Sequence, residues 1–169
     1  MLHLIRHGLA ASGLDDLDPG LAELGHEQAA RTAAALSQLR PTCLVVSPLR
    51  RTRETAEPFS KMFELEPYVC KEVAEVFDPS ISPEERKAIL GPFMAGRWSE
   101  QSHELQSWRE RVVRTLVELG GGDVVVISHY IAICAAIGAA TNDDRVVPVK
   151  LANASVTTLA VVDGALYVE

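Results

Sequence analysis

Short apolar runs alternate with longer stretches of helical periodicity along this chain. Three runs of four residues are largely apolar, namely 2–5, 43–46 and 124–127. Such runs are typical of strands that are buried on both faces. Apolar side chains recur at helical spacing in the stretches between and after them, namely 23–39, 49–63, 105–119 and onward from about 131. This alternation predicts a three-layer α/β/α sandwich with a mainly parallel central sheet.

The remaining segments complete the predicted architecture. Residues 154–168 form two strand-like runs around Asp163-Gly164, which predicts a hairpin and therefore an antiparallel edge. Ser47 and Pro48 favour a helix that begins at 48, with Ser47 as its N-cap. Residues 68–77 are predicted to be extended, and 83–90 to form a short helix. The length of 169 residues suits a single domain, 1–169, with a short lid-like insertion at about 78–106.

Composition narrows the range of partners. Acidic residues outnumber basic ones by 23 to 16, a net charge of −7, which disfavours binding to nucleic acid or to an anionic membrane surface. The uncharged stretch 124–142 is better read as a strand and a buried helix than as a membrane span. Three cysteines without a CxxC pair indicate a reducing compartment. We therefore expect a cytoplasmic protein.

Each of the three buried strands leads into an arginine or a histidine. Arg6 and His7 follow the first, Arg51 follows the second after a short turn, and His129 follows the third. The carboxyl ends of parallel strands meet at one edge of a sheet, so these side chains are expected to converge. Arginines also stand at the predicted start of a helix, where cations are disfavoured unless an anion binds there. For Arg50 and Arg53, a solvated face with an acidic neighbour remains the alternative.

Five segments, in order, resemble those of the histidine phosphatase superfamily, which includes phosphoglycerate mutases and acid-type phosphatases. They are Arg6-His7-Gly8, residues 18–29 (D-x-x-L-T-x-x-G-x-x-Q-A in the family), residues 47–56 (S-x-L-x-R-A-x-Q-T-A), residues 73–76 (L-x-E-I) and residues 126–129 (V-V-S-H). The sequence departs from these patterns at Ala22, where the family has threonine, and in residues 77–80. The resemblance implies a phosphoglycerate mutase-like fold.

The resemblance also implies a set of roles. His7 is the expected nucleophile, with its second ring nitrogen bound to the carbonyl of Gly8. Arg6, Arg51 and His129 are expected to hold the phosphoryl oxygens together with His7, and Ser12 is a candidate for a further hydroxyl contact. No metal and no cofactor are expected.

A carboxyl group is needed to protonate the leaving oxygen and then to activate water. The resemblance implies Glu75 for this general acid, and Asp78 and Glu72 remain alternatives because the three lie close together in the sequence.

The predicted function is hydrolysis of a phosphomonoester, on a small molecule or a phosphoprotein, through a phosphohistidine on His7. Three alternatives remain open: a phosphoglycerate-type mutase, a protein phosphohistidine phosphatase and a weakly active phosphate-binding module. The short lid segment has few basic residues, which disfavours a mutase, since a mutase must hold a second phosphate. Sequence does not determine the substrate or the oligomeric state.

Overall fold

The computed structural model describes residues 1–11, 16–77 and 81–169. Eleven helices and strands follow one another in these ranges: β1 (Leu2–Arg6), α1 (Glu23–Ala35), β2 (Cys43–Val46), α2 (Arg50–Phe63), β3 (Tyr68–Val69), α3 (Pro83–Ala95), α4 (His103–Leu119), β4 (Val124–Ser128), α5 (Tyr130–Thr141), β5 (Val156–Val162) and β6 (Ala165–Val168).

The strands form one six-stranded sheet in the order β3-β2-β4-β1-β5-β6. The first four strands of that order are parallel, while β5 is antiparallel to β1 and β6 is antiparallel to β5. The β5–β6 hairpin turns at Asp163 and Gly164, both with positive φ. The predicted mainly parallel sheet with an antiparallel edge is confirmed.

Alternate residues of the central strands supply two separate cores. Val124 and Val126 pack on one face of the sheet with α4 and α5, whereas Val125 and Ile127 pack on the other with α1 and α2. Because side chains alternate along a strand, a run that is apolar at every position buries both faces. Because helices pack on both faces of the sheet, the predicted three-layer sandwich is confirmed.

Several element boundaries differ from the predictions. Helix α2 begins at Arg50 with Leu49 as its N-cap, two residues later than predicted. The Ser47 hydroxyl accepts the backbone N–H of Leu49 and also contacts His129. Of the stretch 68–77, only β3 is a strand, and a 3-10 turn at Lys71–Val73 follows it. Helix α1 ends at Ala35 rather than near 39.

Helix α3 is longer than predicted and runs through Pro92 to Ala95. A capping box stabilises its start: the Ser82 hydroxyl accepts a hydrogen bond from the Glu85 backbone, and the Glu85 carboxylate accepts one from the Ser82 backbone. Residues 124–142 form β4 and α5, as predicted. None of the helices in the described ranges has the length and apolar character needed to cross a membrane.

Candidate active site

The three basic strand ends meet at one edge of the sheet. Residue Arg6 is paired with Ser128 across β1 and β4, which places the residues after both strands side by side. The rings of His7 and His129 contact edge to face, with centroids 5.2 Å apart. Arg51, at the start of α2, donates from Nε to Nε2 of His7 at 3.2 Å. The structure therefore brings together all four residues of the predicted cationic pocket.

His7 is held in one protonation state by its two partners. Its Nδ1 lies 2.7 Å from the carbonyl oxygen of Gly8, which can only accept a hydrogen bond, while Nε2 accepts from Arg51, which can only donate. The ring is therefore neutral, with its proton on Nδ1 and its lone pair on Nε2. Burial lowers the pKa of His7 to about 4, and the nearby charges of Arg51 and Arg6 act in the same direction.

Gly8 occupies a position that leaves no room for a side chain. A Cβ atom there would overlap the backbone carbonyl of Gly25 on α1, and one on Gly25 would overlap the backbone of Leu9. The Gly8 backbone N–H donates to Thr55 of α2 at 3.0 Å. Close contact with α1 and a hydrogen bond to α2 thus fix the carbonyl that orients His7.

The two arginines are partly buried and have few anionic partners among the described residues. Arg6 donates to the carbonyl of Leu151 at 2.6 Å and lies over the ring of Tyr130, 4.7 Å from its centroid. Arg51 has Asp18 at 4.0 Å. Burial lowers the pKa of both arginines, although each remains a cation at neutral pH. The pocket therefore holds positive charge that suits an oxyanion.

His129 is fully buried, and one of its nitrogens has a clear partner. Its Nε2 lies 2.7 Å from the hydroxyl of Ser47, whereas Nδ1 has no partner within the part of the chain that the structure describes. Burial, together with Arg51, His7 and Arg6, holds the pKa of His129 well below its usual value.

Of the two candidate acids that the structure describes, Glu75 and Glu72, Glu75 lies in the pocket. Its carboxylate accepts from the Val76 backbone at 3.0 Å and faces the charges of Arg51 and Arg6. Burial is the dominant effect and raises the pKa of Glu75, which favours the protonated form that a general acid needs. Glu72 points elsewhere, because it accepts from Cys70 and pairs with Lys71. Asp78 and Ser12 lie outside the described residues.

Sequence reasoning assigned no role to three groups near the pocket. Asp18 accepts from the backbone N–H of Arg50, so its carboxylate caps the start of α2. Arg86 of α3 is close enough to Arg51 for its charge to lower the pKa of that residue. Thr52 contacts the Ser47 hydroxyl. The threonine spacing could have indicated an inner hydroxyl-bearing face of α2, since Thr52 and Thr55 are three residues apart.

An α/β sandwich with a neutral histidine between partly buried arginines at the carboxyl edge of its sheet has the features of a site for phosphoryl groups. A family model described as the histidine phosphatase superfamily (branch 1) matches residues 2–169. The chain therefore belongs to the histidine phosphatase superfamily. No curated protein matches it by sequence.

Solved structures share the fold over almost the whole chain. A phosphoserine phosphatase from Entamoeba histolytica, in complex with 3-phosphoglyceric acid, has a TM-score of 0.75 at 20% identity and covers 99% of this chain and 93% of its own. A mycobacterial glucosyl-3-phosphoglycerate phosphatase has a TM-score of 0.73 at 24% identity, with coverages of 94% and 90%. YhfR from Bacillus stearothermophilus has a TM-score of 0.75 at 19% identity, with coverages of 99% and 94%. At these identities the likeness establishes the fold.

Proposed function

We propose that this protein is a metal-independent phosphatase that hydrolyses a phosphomonoester through a phosphohistidine on His7. One observation carries the proposal: the Gly8 carbonyl holds the Nδ1 proton, so that the lone pair of Nε2 faces the Arg51 guanidinium. A neutral imidazole with one fixed proton is a competent nucleophile toward phosphorus. The adjacent arginine provides the charge that a phosphoryl group requires.

In the proposed first step, the phosphoryl group takes up the donor of Arg51 and thereby frees Nε2 of His7. The Nε2 lone pair forms a bond to phosphorus while the bond from phosphorus to the leaving oxygen breaks. Glu75, protonated, gives its proton to that oxygen. Arg6, Arg51 and His129 hold the remaining phosphoryl oxygens and stabilise the charge of the transition state.

In the second step, Glu75 as carboxylate removes a proton from water, and the resulting hydroxide oxygen attacks the phosphorus of phospho-His7. The bond from Nε2 to phosphorus breaks, and its electron pair returns to Nε2 as a lone pair. Inorganic phosphate then leaves the site. Ser12 remains a candidate for one more contact to the phosphoryl oxygens.

For the substrate we propose a phosphorylated small molecule or a phosphoprotein. We propose that residues 1–169 form one domain that binds it, and that the segment of about 78–106 acts as a lid. Two of the structural neighbours are named for small phosphate esters, phosphoserine and glucosyl-3-phosphoglycerate. Arg86 belongs to the lid segment and lies near Arg51, which supports a role for α3 beside the substrate.

A trapping experiment tests the mechanism. On mixing with a phosphomonoester, the Glu75→Gln protein should accumulate acid-labile phosphate on His7, because the water that releases it is no longer activated. The Glu75→Gln rate should also depend more steeply on the pKa of the leaving group. Glu72→Gln is the matched control and should turn over like the wild type, since Glu72 lies beside Cys70 and Lys71.

Full turnover by His7→Asn would refute the mechanism. Transfer of phosphate between two positions of glycerate, faster than its release, would instead indicate a mutase. Binding of phosphate without any turnover would indicate a binding module.

A further inference from the structure

A buried threonine connects the start of α2 to the active-site histidine His129. Thr52 stands where the S-x-L-x-R-A pattern has alanine, and it is fully buried. Its Oγ1 lies 2.7 Å from the carbonyl oxygen of Leu49 and 3.0 Å from that of Ser47. The same oxygen lies 2.8 Å from the hydroxyl oxygen of Ser47, which in turn contacts Nε2 of His129 at 2.7 Å.

The two carbonyls decide the direction of these hydrogen bonds. A carbonyl can only accept, so the single hydroxyl proton of Thr52 must point toward the oxygens of Leu49 and Ser47. If this proton pointed at the Ser47 hydroxyl instead, the contacts of the Thr52 oxygen with the two carbonyl oxygens would have no proton between them. The hydroxyl of Ser47 must therefore donate to Thr52. A further lone pair of Ser47 accepts the backbone N–H of Leu49 at 3.2 Å.

This direction determines the tautomer of His129. Because the proton of Ser47 is used by Thr52, the 2.7 Å contact between Ser47 and Nε2 requires His129 to donate. The proton of the neutral ring therefore lies on Nε2, and the buried Nδ1 has a bare lone pair, with no partner in the ranges described above. Within the described part of the chain, the charged or titratable groups that face the ring are Arg6 from β1, His7 after it and Arg51 from α2, and all three oppose its protonation. Glu75 faces Arg6 and Arg51.

A bare nitrogen is a poor partner for a phosphoryl oxygen, whereas a protonated one is a donor. We infer that the Thr52–Ser47 pair fixes the proton of His129 on Nε2, so that a dianionic phosphoryl group binds together with one proton, which His129 takes from solvent at Nδ1. The proton returns to solvent when the anion leaves. Thr52 is thus a positioning residue, and the inference rests on the proposed phosphoryl site.

Removing the hydroxyl of Thr52 should reverse the tautomer. In Thr52→Val the Ser47 hydroxyl has no acceptor on α2 and turns its proton to Nε2 of His129. The ring then carries its proton on Nδ1 and donates to the anion without further uptake. Thr52→Ser keeps the hydroxyl and should behave like the wild type.

Calorimetry with inorganic phosphate measures this proton directly. Binding is recorded at about pH 8 in buffers of different ionisation enthalpy. Every protein carries His7→Asn and Glu75→Gln, so that the protons of the nucleophile and of the general acid are not counted. We expect uptake of about one proton with Thr52 or with Thr52→Ser, and close to none with Thr52→Val. Absence of uptake with Thr52 present, or equal uptake by Thr52→Val and Thr52→Ser, would overturn the inference.

Nitrogen NMR of the ligand-free wild type gives a test that needs neither folding of Thr52→Val nor catalysis, and the spectrum of Thr52→Val is a second check. His129 should show the Nε2–H tautomer in the wild type and in Thr52→Ser, and the Nδ1–H tautomer in Thr52→Val. An Nδ1–H ring in the wild type would refute the relay. Phosphate binding without turnover, combined with the expected tautomers, would refute the proposed phosphatase and leave the relay intact.

Discussion

Keeping His7 neutral makes the folded protein sensitive to acid. In the unfolded chain this ring has its ordinary pKa near 6.5, while in the folded protein the pKa is about 4. Between these values the unfolded chain binds a proton that the folded protein does not bind. Acidification in this window therefore favours unfolding, and the contribution of His7 to stability is complete only above pH 6.5.

The size of the effect follows from the two pKa values. His7 is only 8% exposed, so solvent screens little of the effect that its surroundings have on its pKa. The difference between the two pKa values lowers the free energy of unfolding by about 2 kcal/mol at about pH 5 and by about 3 kcal/mol at about pH 4. Replacement of His7 by Asn removes the titrating ring. The stability of His7→Asn relative to the wild type should therefore improve by about 2 kcal/mol between about pH 7 and about pH 5.

Urea denaturation at a series of pH values measures the free energy of unfolding of both proteins. His103→Asn serves as the matched control, since His103 is exposed at the start of α4, and its stability should follow the wild type across the series. If the curves of His7→Asn and the wild type stay parallel from about pH 7 to about pH 5, His7 is not held neutral by its surroundings, and the reasoning from burial and Arg51 fails.

Three further predictions concern the packing and charge around the site. Gly8→Ala should lose about 1–3 kcal/mol of stability and most of its kcat/KM, because its Cβ meets the Gly25 backbone, whereas Gly91→Ala, with open space around it, should be stabilised by about 1 kcal/mol in the same denaturation experiment. Arg51→Lys should lower kcat/KM about 10²-fold, since lysine lacks the planar fork, and a steady-state assay with unchanged rates would contradict this. Trp98→Ala should lower the free energy of unfolding by about 3–5 kcal/mol, because Trp98 is fully buried and stacks on Trp108. If urea denaturation shows a loss near zero, this tryptophan pair does not support the lid segment.

Features that depend on short-range pattern were predictable from the sequence. A run that is apolar at every position indicates a strand buried on both faces, and the order of runs and helices indicates how the strands are connected. The fold class follows from that information, and so does the meeting of Arg6, His7 and His129, since parallel strands end at one edge. The contact between His7 and the Gly8 carbonyl was also expected from the resemblance, because the two are neighbours in the chain.

Features that depend on contacts between distant residues were decided by the tertiary structure alone. Ser47 has the residue type of a helix cap, yet its hydroxyl binds His129, which is 82 residues away. The resemblance favoured Glu75 as the acid, but spacing alone did not separate it from Glu72. In the structure Glu75 faces the arginines, and Glu72, in the turn at Lys71–Val73, contacts Cys70. A local pattern reports which side of an element is buried. It does not report which partner another element supplies there, and that partner sets the proton on His129 and the charge state of Glu75.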